Sequence, residues 1–355
     1  MNFIFKHEDA PTFERLWNEY LGTHRSDFHY ALALIEYALS YSSRLHMDQS
    51  FVVEENNRCV GICFLPIETS THDGLSISIA EGYVIAPLAC SHKYEEAIFE
   101  KIDAICALFN ISLVKFKLSA FEDSRFNRLR LYGFIDTTST TGTLDLQTSK
   151  EELWTNLRKR YKSFINSVIK NDAFSILYSD PSNAQTLHQT YVAFHKIHMQ
   201  NAGKIPKSDE IYRKQFTLIE NRLATLIAVC YQDSIVMANY FFHDTRNVIY
   251  ASSAYDTREL FHHLPLNHYL LWHAIVYFKE QNFTTFGFGE PCILNAINGF
   301  TDYADEKELN ISHFKRGMGA QTISHMQAIK FYHYEPLIRL IDQFKLEVTN
   351  AFCKH

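Results

Sequence analysis

The chain has 355 residues, 46% of them hydrophobic and 21% charged, and carries a net charge of -6. This balance describes a folded globular protein of about two domains; it argues against a DNA partner and against broad nonspecific nucleic-acid binding, leaving only a local basic patch open. No apolar run reaches the roughly 18 residues of a membrane helix, and residues 1–8 lack the basic and apolar segments of a signal peptide. Seven cysteines, mostly set in apolar runs, read as reduced and buried, so the expected location is the cytoplasm.

In chain order, the apolar runs Phe51–Glu54 and Val60–Leu65 flank the polar connector Glu55-Asn56-Asn57-Arg58 and predict a hairpin. A third strand is expected from Ile77 to Ala86. A helix with Ile98, Ile102, Ile105 and Leu108 on one face follows, and then the strand Leu113–Leu118. The second half repeats this plan. Leu226–Tyr231 and Ile235–Phe242 flank Gln232-Asp233-Ser234; Val248–Ala254, a helix from about Leu266 to Gln281 and the strand Phe283–Phe288 come next. Strand, hairpin, strand, helix and strand in that order predict a mixed α+β sandwich.

The junction is expected near residue 147. Thr141–Leu146 reads as the last strand of the first unit, and Ser149-Lys150-Glu151-Glu152 as a capping box. The helix it opens carries Leu153, Trp154, Leu157, Tyr161, Phe164, Ile165 and Val168 on one face and Arg158, Lys159, Lys162 and Lys170 on the other. That cationic face is either solvated or a contact for a phosphorylated ligand.

Two later segments suggest a site. Thr284–Glu290 reads as a buried strand whose Gly-Phe-Gly-Glu end brings backbone and a carboxylate to the mouth of a sheet. After an irregular polar loop, His313-Phe314-Lys315-Arg316-Gly317-Met318-Gly319 places a ring, two cations and two glycines in one short run. Glycine permits close backbone approach, and Lys and Arg offer charge-assisted donors to an anionic or acyl ligand.

Leu153–Tyr161, Tyr250–Ala254, Leu266–Trp272, Phe286–Gly289 and Phe314–Gly319, in this order, resemble the Fem-type acyltransferases, which are tandem GNAT-fold proteins. Phe194–His198 through Gly203–Pro206 resembles the helix-and-loop insertion of that family. The resemblance implies two tandem GNAT-like domains, each a mixed, mostly antiparallel sheet flanked by helices. Residues 1–147 would be a scaffold and acceptor platform, and residues 148–355 would carry the active site. It implies an N-acyltransferase that moves an aminoacyl or acetyl group to an amine on a cell-envelope precursor or nucleotide-linked sugar, held in the interdomain cleft.

The resemblance puts Phe314 and Lys315 beside the acyl donor. Glu290 is the expected proton acceptor or amine-orienting group, Lys315 the stabiliser of the oxyanion or of a donor phosphate, and Tyr255 a relay for the leaving-group proton. Asn267, His268, Phe288, Gly289, Phe314, Arg316, Gly317, Gly319 and Lys204 are the expected substrate contacts. No metal and no tightly bound cofactor is expected: His188, His195 and His198 lack a completing ligand, Cys59 and Cys63 lack a second pair, and Cys292 lacks an activating base. Residues 256–265 contain no glycine of the kind coenzyme A users of this fold present to pyrophosphate, while the acidic total charge disfavours extensive RNA contact. Aminoacyl-tRNA and acyl-coenzyme A donors both remain open, as do an acetyl-coenzyme A-dependent amino-sugar acetyltransferase and a noncatalytic binding module.

Overall fold

A computed structural model describes the chain except for residues 25–26, 71–73, 81–82, 123, 180–181, 183, 202–207 and 354–355. It resolves into two compact units. Unit 1 comprises Met1–Ser139, Asn295–Asp305 and Ser324–His355; unit 2 comprises Thr140–Leu294 and Glu306–Ile323.

Unit 1 begins with β1 (Asn2–Phe5), α1 (Ala10–Thr23), α2 (Leu32–Tyr41) and β2 (Leu45–Asp48). It continues through β3 (Phe51–Glu55), β4 (Arg58–Cys63), β5 (Pro66–Thr69), β6 (Ser76–Ser78) and β7 (Leu88–Ala89), then α3 (His92–Leu108), β8 (Ile111–Lys117) and β9 (Ile135–Asp136). The expected hairpin is β3–β4. Its turn holds Asn56 and Asn57 at φ 52° and 62°, a left-handed pair that matches the twist of the flanking strands. The expected third strand is much shorter than Ile77–Ala86, because Ala80 adopts a left-handed φ of 48° and turns the chain out of β6. Helix α3 buries Ile98, Ile102 and Ile105, but Leu108 at its end is exposed. Strands β6 and β8 pair in parallel across α3, in the order β2-β5-β6-β8. Cys59 and Cys63 do not share a face: Cys59 joins Val52 and Ile62 in one core cluster, Cys63 joins Phe51 and Val53 in another.

Unit 2 opens with β10 (Ser139–Asp145), α4 (Lys150–Asn156), α5 (Lys159–Ile169), β11 (Phe174–Tyr178), α6 (Ala184–Asn201) and α7 (Asp209–Glu220). Next come β12 (Ala224–Tyr231), β13 (Ser234–His243), β14 (Asn247–Tyr255), α8 (Glu259–His262), α9 (Leu266–Glu280) and β15 (Thr285–Gly289), then α10 (Glu306–Gly317) and β16 (Gln321–His325). Their sheet runs β11-β12-β13-β14-β15-β10-β16. The strand expected to close the first unit, β10, thus lies in this sheet, antiparallel to β15. Ser149 caps α4 by accepting from Glu152 N at 3.0 Å. The expected single helix is broken at Leu157 and Arg158, whose backbones are extended; Arg158 N instead donates to Gly317 O at 2.9 Å. The apolar stripe continues across the break, and Leu153, Leu157, Tyr161, Ile165 and Val168 all enter one core with α9.

The chain then returns to unit 1. Strand β17 (Gln327–Phe331) inserts between β8 and β9, and α11 (Tyr334–Phe352) follows. This division differs from a single cut after residue 147, since the final strand and helix join the first unit. Among the described residues, no helix is long and apolar enough to cross a membrane.

Candidate active site

The site grows out of a mismatch in strand length. β14 and β15 are parallel neighbours, yet their register holds only from Asn247↔Thr285 to Ile249↔Gly287. β14 runs on to Tyr255, while β15 ends at Gly289, whose φ of 69° turns the backbone away. Beyond this fork, β14 still pairs with β13 on one side. On the other side its peptide groups have no partner strand among the described residues. Such an edge can accept a ligand as a substitute strand.

At the short arm of the fork sits Lys315. It is 5% exposed, in the last turn of α10, and its Nζ donates to Gly289 O at 2.9 Å. Burial holds its ammonium well below the ordinary lysine range, at about 8, against the opposing pull of Cys292 and Glu290. Glu290, half-buried, therefore lies within electrostatic reach of Lys315 and directly follows the carbonyl that Lys315 binds. These two candidate residues are brought together at one end of the sheet.

The remaining residues of the Phe-Lys-Arg-Gly-Met-Gly run have a structural reading. They are the end of α10, a helix that starts within the stretch expected to be an irregular loop. Met318 N and Ala320 N bond to Lys315 O, Gly319 N bonds to Arg316 O, and Gly319 takes a φ of 94°. This is a glycine-terminated helix C-terminus. Gly317 is required by packing: a Cβ there would stand 2.2 Å from Cε2 of Tyr161. Arg316 donates to Ile293 O, and Met318 is buried in the core.

His268, in the first turn of α9, lies among the rings of Tyr161, Phe164 and Phe314, at centroid distances of 4.4, 5.2 and 5.0 Å. Burial, and then the nearby Arg160 guanidinium, push its pKa down to about 4, so the ring is neutral near pH 7. Asn267 Oδ1 accepts from Asn239 Nδ2 at 3.0 Å. Phe288 is buried against Phe286 in the core and offers no surface to a ligand. Tyr255 is 49% exposed at the end of β14, away from the fork's closed part. Lys204 lies outside the described residues. His195 packs against the Tyr212 ring and His198 hydrogen-bonds the Tyr212 hydroxyl, a helix-packing arrangement.

Around this centre α5 presents Arg158, Lys159, Arg160 and Lys162. Arg158 donates to His313 Nδ1 at 2.9 Å and lies over Tyr161; Arg160 lies over Phe164. Among the described residues none of these four cations forms an ion pair with a carboxylate. A groove of about 760 Å³ opens elsewhere in unit 2, between α6 and the β12–β13 turn, with Lys196, Asp233 and Asp256 on its walls; neither Glu290 nor Lys315 lines it.

Residues 155–303 match the family model described as an acetyltransferase (GNAT) domain, a stretch that includes the forked strands and Glu290 but stops short of Lys315. Among curated proteins, none matches the sequence. Several solved structures share the fold. FemX aligns with a TM-score of 0.63 at 14% identity, covering 96% of this chain and 100% of its own. L-PGS from Bacillus licheniformis aligns at 0.54 and 11% identity, covering 88% of this chain and 95% of its own. A tandem GNAT protein from the clavulanic acid biosynthesis pathway aligns at 0.50 and 8% identity, covering 94% and 99%. The chain thus shares its fold with FemX and with a tandem GNAT protein, and its residues 155–303 match a GNAT acetyltransferase domain.

Proposed function

We propose that the protein is a cytoplasmic N-acyltransferase. It moves an aminoacyl or acetyl group from an activated ester or thioester to an amine on a cell-envelope precursor or nucleotide-linked sugar. The observation that carries this reading is the buried Lys315 ammonium bonded to Gly289 O beside Glu290, at the open fork between β14 and β15. The donor lies along the unpaired edge of β14 with its carbonyl toward Lys315. The neutral amine attacks that carbonyl, an N–C bond forms, and the C–O or C–S bond to the donor breaks. Glu290 takes the amine proton and passes it to the departing oxygen or sulfur, and Lys315 stabilises the oxyanion formed on the way.

The unpaired cations of α5 support a donor with several phosphates, a property of both aminoacyl-tRNA and acyl-coenzyme A. The likeness to FemX and L-PGS supports an acceptor of the cell-envelope kind. Unit 1 is assigned a scaffold and acceptor role, for which its own parallel pair gives support. There Ala86 N donates to Lys117 O at 2.8 Å, so the chain itself fills the place beside β8 beyond its last pair with β6.

The test is transfer of labelled acyl groups from alanyl-tRNA and from acetyl-coenzyme A to amine-bearing muropeptide and amino-sugar nucleotides. Lys315→Met and Glu290→Gln should each lower kcat by about 10²-fold or more while donor affinity changes little. A pure binding module would show donor affinity with no transfer. Salt assigns the donor: a tRNA user loses affinity steeply as ionic strength rises, and more so than its Lys159→Glu/Arg160→Glu variant.

A further inference from the structure

A buried polar group next to the fork has no role in the arrangement above. Asn239 is fully buried in the middle of β13, between Ala238 and Tyr240, where an apolar residue would fit the surroundings. Its Nδ2 donates to Asn267 Oδ1 at 3.0 Å. Asn267 and Ser253 lie beside the half-buried Tyr250 side chain, and Ser253 stands directly opposite Asn239 in the β13–β14 register. One acceptor in this group is left over: Asn239 Oδ1 has no hydrogen-bond partner among the described residues. An unpaired buried carbonyl is unfavourable, and native proteins rarely leave one without cause.

Its position supplies a cause. Tyr250 is the first residue of β14 beyond the last pair with β15. From there the strand reads Ala251-Ser252-Ser253-Ala254, side chains small enough to leave room for a ligand beside them. In this part of β14, Ser253 is the residue paired with Asn239, so the unpartnered oxygen lies one strand in from the open edge.

We propose that Asn239 Oδ1 accepts an N–H from the acyl donor, making Asn239 a residue that selects donors with nitrogen close to the acyl group. This rests on the acyl-transfer reading. Two donors share the required chemistry: the α-ammonium of an aminoacyl ester, and the pantetheine amide of an acyl-coenzyme A thioester. The carboxamide oxygen accepts from either one. The ammonium makes the stronger, charge-assisted bond.

The experiment is titration calorimetry on the full chain with two probes, acetyl-coenzyme A and the amide-linked 3′-alanylamino-3′-deoxyadenosine. Asn239→Leu removes the acceptor at similar size and should weaken the probe that uses it by about 10- to 100-fold. Loss confined to the alanyl probe assigns the ammonium, and loss confined to acetyl-coenzyme A assigns the amide. Asn239→Asp keeps the oxygen and adds charge, and should shift the ratio of the two affinities toward the ammonium probe by about tenfold or more. This second variant decides the matter if the leucine variant does not fold. The proposal is overturned, with the acyl-transfer reading intact, if the wild type binds a probe and a folded Asn239 variant leaves both affinities within about twofold. Should the wild type bind neither probe, both readings fall together.

Discussion

Replacing Lys315 by Met tests whether the cation at the fork is buried as described. In the unfolded chain this lysine titrates near 10.5; in the folded protein burial brings it to about 8. At about 1.36 kcal/mol per pH unit, the difference corresponds to about 3 kcal/mol. Between these two values the unfolded state binds the extra proton, so rising pH favours the folded state. The wild type should therefore gain about 3 kcal/mol relative to Lys315→Met as pH climbs from about 8 to 10.5, with a constant difference below that window. Urea unfolding of both proteins across the window measures it, because other titrating groups cancel in the comparison. At neutral pH two effects oppose each other in the variant: it loses the bond to Gly289 O and sheds a buried charge. The pH dependence is consequently the diagnostic quantity, not the absolute stability. Parallel profiles for the two proteins would refute the claim that Lys315 is held as a destabilised ammonium.

His268 gives the corresponding effect on the acid side. Its folded pKa of about 4 lies below the ordinary 6.5, so the wild type should lose stability relative to His268→Gln as pH falls between these values, measured by thermal melting in matched buffers. Gly317→Ala drives a methyl group to 2.2 Å from the Tyr161 ring and should cost about 1–3 kcal/mol, read as a lowered Tm. Ser149→Ala removes the cap on α4 and should cost about 1 kcal/mol, with faster amide exchange confined to Glu151 and Glu152 in the first turn.

Local signals carried the two hairpins and the α4 cap. Asn56-Asn57 and Gln232-Asp233 both take the paired left-handed φ values that two-residue turns demand, and each lies between apolar runs that read as strands. Partners distant in sequence were not legible. Nothing within Thr141–Leu146 says that its neighbour is Thr285–Gly289, and nothing in Gln327–Phe331 says that it will pair with Leu113–Lys117 in the first unit. Register is set by which faces are buried, and that depends on the whole sheet. Cys59 and Cys63 show the same limit: strict alternation would put both on one face, but a bulge where Val53 pairs with Gly61 and Glu54 with Cys59 breaks the alternation.

The most informative miss is α10. Its residues show little apolar periodicity, so the sequence reads as an irregular loop, yet Glu306–Gly317 is a regular helix. The reason lies on its inward face, which is built from hydrogen-bonding and small groups: Ser312, Lys315 and Gly317. Ser312 Oγ accepts from Ile293 N at 3.1 Å and donates to Glu308 O at 2.8 Å, Lys315 grips Gly289 O, and Gly317 admits the Tyr161 ring. A helix that packed for stability alone would present leucines to that surface and would announce itself by its period. Asn239 is illegible for the same reason, an amide in the middle of an otherwise apolar strand. Where hydrophobic patterning fails in this chain, the buried face is polar. Both failures border the fork between β14 and β15, which is where a protein that must hold a polar ligand would give up apolar packing.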